Sequence, residues 1–130
     1  MRLPRVRLTV RQMMVGVAAL AVILGSVLQW RWHQLSREYS ATAKHFAELE
    51  AGERYAMSIT EANMAEFKKV LQGLDPKSQK ALLVKRQIAE EAKYLDYMKA
   101  NARHSSAVRA IHEQAASRPW LPLAPEPPMP

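Results

Sequence analysis

The chain has no cysteine among its 130 residues. That excludes disulfides, thiolate metal sites and covalent haem attachment, and it fits either side of a membrane. Also missing are a glycine-rich phosphate loop and a serine placed in a tight nucleophile turn. The histidines are few and badly spaced for a metal. Zinc ligands on helices sit at i, i+3 or i+4, whereas His104 and His112 are eight apart with no acid or third ligand between them. His33 and His45 are equally isolated, so all four are expected as solvated or interfacial side chains. Glu90-Glu91 lacks the histidine that completes a Glu-x-x-His motif in di-iron bundles. These absences argue against an enzyme, and no cofactor and no metal is expected.

What the chain does have is an uncharged apolar run over residues 13–30, preceded by Arg2, Arg5, Arg7 and Arg11. At about 1.5 Å of rise per residue, roughly 18 helical residues span about 27 Å, close to the hydrocarbon thickness of a bilayer. A cleaved signal peptide also begins basic and then apolar, but its apolar core is shorter and ends in a small-x-small site. Here Val27-Leu28-Gln29-Trp30 follows where such a site should stand, although a cut after Gly25 is conceivable. A third alternative is the buried helix of a soluble domain, but no other segment is apolar enough to surround it. The expectation is an uncleaved transmembrane helix. The arginines before it, Arg7 and Arg11 nearest, outweigh Arg31, Arg37 and Lys44 after it. The positive-inside rule therefore puts the N-terminus in the cytoplasm and the remainder outside, in a cell inner (cytoplasmic) membrane. Trp30 and Trp32 then fall at the far interface, where indoles anchor a helix. Ala21 and Gly25 form a small-xxx-small step, read either as ordinary composition of a span or as a helix–helix contact within the membrane.

Residues 31–118 leave room for one small domain at most. They are rich in Ala, Glu, Lys, Gln and Met, which favours helix over a β core. The formal net charge of +7 is unevenly spread. Residues 31–75 carry six basic and seven acidic side chains, whereas 76–118 carry nine basic and four acidic.

Apolar residues recur at helical spacing at Leu35, Tyr39, Ala43, Phe46 and Leu49, weaken past Gly52, and resume at Phe67, Val70 and Leu71. Gly73-Leu74-Asp75-Pro76 predicts a stop and restart, with Gly at C′, Asp at the N-cap and Pro as the first helical residue. A second stripe follows through Val84, Ile88, Ala92, Leu95, Met98 and Ala102, and more weakly through Val108 and Ile111. The fold class is thus all-α: a transmembrane helix over 13–30, a helical hairpin over 31–118 with its turn near 73–76, and an extended tail. The heptads are imperfect, with Glu53 and Asn63 near core positions. So small a core points to pairing with another copy or a protein partner through the helices.

The tail over 119–130 holds six of the eight prolines and cannot be helical. Polyproline II is its default state, which makes it a ligand for an aromatic groove. The alternative is an extended end packed on its own helices through Pro119, Trp120, Leu121 and Pro122.

Three segments together resemble the short single-pass membrane proteins of planctomycete bacteria. One is Arg7-Leu8-Thr9-Val10-Arg11-Gln12-Met13-Met14, which leads into the apolar run. Another is Arg37-Glu38-Tyr39 with Ala43-Lys44-His45. The third and most specific is Glu113-Gln114-Ala115-Ala116-Ser117-Arg118 followed by Pro119-Trp120-Leu121-Pro122 and the proline-rich end. The chain departs from that group at His112, where the group has Tyr, and in an insert over about 51–79. The resemblance covers both ends but not the middle. It implies an anchor with a helical ectodomain and carries no activity.

Two functional expectations follow from the residues. The first is a membrane-anchored interaction or scaffold protein of the cell envelope. The second is a tethered binder of polyanions, nucleic acid or anionic lipid, through Lys77, Lys80, Lys85, Lys93 and their basic neighbours on the second helix. Tyr94 and Tyr97 lie nearby for stacking, but the cations scatter around the helix and Glu90, Glu91 and Asp96 interrupt them. That scatter and an extracytoplasmic location argue against nucleic acid.

Overall fold

The computed structural model describes residues 9–130 and contains two helices, α1 over Val10–Gln72 and α2 over Gln79–Ser117. Arg7 and the other residues before position 9 lie outside the described residues. α1 is one continuous helix of 63 residues, about 95 Å long at 1.5 Å per residue. It begins at Thr9, whose backbone N–H donates to Gln12 Oε1 at 3.1 Å, and passes through Gly52 without a break. Its apolar N-terminal part is long and hydrophobic enough to cross a membrane, and none of it is buried against the rest of the chain. The chain itself does not cover this segment as it would the core helix of its own soluble domain, and the segment is compatible with a membrane anchor or a signal sequence.

The turn differs from the sequence expectation in both halves: Gly73 is the C-cap of α1 and not C′, and Asp75 is not the N-cap of α2. Gly73 ends α1 in right-handed geometry, with φ −89°. Asp75 does not cap α2: its Oδ1 accepts from the Lys77 N–H at 3.1 Å, and its carbonyl accepts from Ser78 N–H at 3.0 Å. Asp75–Ser78 is therefore a turn with Pro76 at its second position, where the ring's fixed φ suits it. Ser78 is the N-cap, its hydroxyl oxygen accepting from Ala81 N–H at 3.1 Å, so α2 starts at Gln79.

The two helices pack antiparallel along the whole length of α2. On α1 the covered positions step by three and four residues through Tyr39, Ala43, Phe46, Glu50, Glu53 and Met57, and continue so to Leu74. This is the 3.5-residue period of coiled-coil packing. Leu49 and Val70, expected in the stripe, are exposed instead; Glu50 takes the place of Leu49, while Leu71, also expected, is covered. On α2 the buried residues are Ala81, Leu95, Met98, Ser105, Val108, His112 and Ala115. Small side chains at Ala43, Ala81 and Ala115 let the helices approach closely.

Candidate functional site

The residues assigned to the apolar segment fall on one uncovered helix. Arg11 is exposed in the first turns of α1, and Trp30 is 65% exposed further along. Ala21 and Gly25 are both exposed, and a Cβ added at Gly25 would meet nothing within 4 Å. Neither residue is used inside the chain. Gly25 lies seven and fourteen residues before Trp32 and Tyr39, on the side of α1 that α2 covers further up.

Trp32 and Trp120, assigned separate roles in the sequence, are brought together. Their rings meet edge to face with centroids 6.1 Å apart, beyond the end of α2. Just above them the Ser36 hydroxyl donates to the Ala116 carbonyl at 2.8 Å, fixing where the last turn of α2 sits on α1. The tail then reverses. Leu121 N–H donates to the Arg118 carbonyl at 3.0 Å, and Leu121, Pro122 and Ala124 line a small pocket with Ile111, Gln114 and Ala115. Glu126 comes within 3.5 Å of His112 Nε2. The tail thus lies on its own helices; its prolines exclude helix and leave it extended along α2.

Of the two expectations for the histidines, solvated or interfacial, His112 meets the second: it lies between the helices and is only 7% exposed. Its ring stacks on Phe46, with centroids 6.3 Å apart and planes 10° apart, and tilts against Tyr39 at 5.8 Å. Its Nδ1 and that of His104 are buried without a hydrogen-bond partner among the described residues. His33 and His45 are exposed.

A charged layer interrupts the core one turn above Phe46. Glu50 is 3% exposed, and its carboxylate accepts from Arg109 Nη1 at 2.7 Å and from Arg54 Nη2. Arg109 Nε also stands 3.4 Å from Glu113 Oε1, an ion-pair distance without hydrogen-bond alignment. One turn further, Glu53 Oε2 accepts from the Ser105 hydroxyl at 3.4 Å. Sequence reasoning missed Glu50, Arg109 and His112. The three-four stepping finds Glu50, if continued through a charge rather than diverted to the neighbouring Leu49, and His112 after Ser105 and Val108; Arg109 lies one residue off it.

Between the helices, on the side away from Ile111 and the tail, runs an open groove. Its upper part, about 630 Å³, is lined by Met57, Ala102, Ser106 and Ala110, with Arg54, Lys99 and Arg103 also at the surface. Its lower part is lined by Ser40, Ala43 and Ala47 opposite Glu113 and Ala116, with Lys44 alongside. It meets a further hollow floored by Trp32, Pro119 and Trp120. Among the described residues no three His, Cys, Asp or Glu side chains gather as a metal site. What the arrangement offers chemically is surface: a concave channel between two helices, walled by alanines, serines and Met57, with Glu50 and Glu113 beside more numerous cations. No family model matches the chain, and no curated protein and no solved structure is detectably similar to it.

Proposed function

We propose that the chain is a single-pass membrane protein whose helical hairpin stands outside the cytoplasm and serves as an interaction or scaffold element of the cell envelope. The observation that carries this reading is the join between the two parts. The uncovered apolar segment and the first arm of the hairpin are one uninterrupted helix, so an anchor would hold the hairpin rigidly upright. Trp30 and Trp32 support an interface at the end of the apolar segment, and the arginines before it support a cytoplasmic N-terminus. The resemblance of both ends to planctomycete single-pass proteins belongs to the same proposal and adds no activity to it.

Alkaline carbonate extraction of membranes tests the anchor. The expected result is full-length protein retained in the pellet; release into the supernatant, or a band shortened by a cut near Gly25, contradicts it. The polyanion reading keeps one point in its favour, the exposed Lys77, Lys80, Lys85 and Lys93. Two other cations of α2 are already engaged, Arg86 with Glu90 and Arg109 with Glu50. Salt separates the readings: binding through phosphates falls steeply between low and physiological salt, whereas docking of apolar helices changes little.

A further inference from the structure

We propose that the groove on the tail-free side of the hairpin seats an acidic amphipathic helix of a partner membrane protein. This rests on the reading of the chain as an anchored interaction protein and adds the place and the chemistry of the contact. The hairpin has two sides. At about 100° per residue, Ile111, Ala115 and Arg118 project from one side of α2 and Ser106, Ala110 and Glu113 from the other. The tail covers the first side, with Leu121 and Pro122 against Ile111 and Ala115. The second side is left open.

The shape of the open side suits a helix. Alanines and serines line the lower α1 wall, as at Ala43 and Ala47, and much of the α2 wall, as at Ser106 and Ala110, so a third helix can approach closely there, while Glu50, Arg54 and Met57 form the upper α1 wall. From Ser36 to Met57 the groove runs about 31 Å along α1, nearly six helical turns. At its lower end it reaches the hollow at Trp32 and Trp120, so a helix rising from the same bilayer enters it directly.

Charge selects the occupant. Glu50 is already shared by Arg54 and Arg109, and Glu113 lies beside Arg109. Lys44, Lys99 and Arg103 have no ion-pair partner among the described residues. A second copy docked groove to groove about a two-fold axis would crowd Arg54, Lys99 and Arg103 of both copies at the upper end, against a single Lys44–Glu113 opposition lower down. Nucleic acid fits no better, because three unpaired cations over about 31 Å are sparse beside one phosphate charge per ~1.7 Å of duplex. A helix with a small apolar face and flanking Asp or Glu meets both the walls and the rim.

The test places a photo-reactive phenylalanine analogue at Ala47, Ala110 or, as a control on the far face of α1, Ile59, in the full chain within its native membrane. The expected result is cross-linking from Ala47 and Ala110 but not Ile59, to a net-acidic helical segment of another membrane protein. Combining Lys99→Glu with Arg103→Glu should lower the Ala110 adduct at least about fivefold with helicity unchanged. Should that pair disturb folding, Lys99→Gln with Arg103→Gln should lower it about twofold. An adduct between two copies, an adduct to nucleic acid, a neutral or basic cross-linked segment, adducts indifferent to the charge changes, or no adduct overturns the proposal. A copy-to-copy adduct would leave the anchored interaction protein standing and remove only this occupant, whereas release by carbonate would remove the anchor itself.

Discussion

Glu50 stands where a coiled-coil core would place an aliphatic side chain, and two arginines hold its charge there. Breaking a buried ion pair leaves an uncompensated charge, whereas replacing the whole pair by apolar groups restores packing. Arg109→Leu should therefore destabilise the hairpin by about 2–3 kcal/mol, less than the loss of a sole partner because Arg54 remains. Combining it with Glu50→Leu should bring stability back to within about 1 kcal/mol of the native chain. Urea melts followed by circular dichroism check both, and equal losses in the single and double variants would contradict the layer as described. At this scale the sequence is least legible. A hydrophobic stripe read through residues 46–50 picks Leu49, the apolar neighbour, whereas the helix period continues to Glu50. His112 is missed for a different reason: its ring is covered by Phe46, distant in sequence, and approached by Glu126 of the tail.

Helices and turns are more legible, because their signals are local. Residues 33–72 read as helix and are helix, and Gly73 through Pro76 read as the bend. What local reasoning misplaces is the cap. Asp75 and Ser78 are both good N-cap residues, and the choice falls to Ser78 because Asp75 is engaged in the turn around Pro76. Ser78→Ala should thus cost about 1 kcal/mol and Asp75→Ala less, as measured by the same melts; the reverse order would restore Asp75 as the cap. Gly52 gives a second check on the helix. It lies mid-helix with nothing within 4 Å of an added Cβ. Gly52→Ala should stabilise α1 by about 0.5–1 kcal/mol, and a loss of stability would mean that the helix bends or is contacted there.

For the whole molecule, the tail and the apolar segment decide the account. Trp120 closes over Trp32, and Glu126 reaches His112, so the tail ties the free end of α2 to α1. Trp120→Ala should cost about 1 kcal/mol, the scale of an aromatic pair at a partly exposed site, and removal of residues 119–130 should lower the melting temperature further. Unchanged melting in both would leave the tail without a structural role and return it to the reading of a partner's ligand. That its contacts were open to either reading in the sequence has a physical reason: a polyproline segment with one Trp suits any aromatic groove, its own or another's. Orientation is the remaining large-scale statement, and it rests on charges flanking the apolar segment. The most direct measurement is a pair of reporter fusions at Pro130 in a bacterial host, alkaline phosphatase against β-galactosidase. With the hairpin outside the cytoplasm, the phosphatase fusion is expected to be active and the galactosidase fusion silent. The opposite pattern would contradict that placement and bring the cationic second helix within reach of nucleic acid.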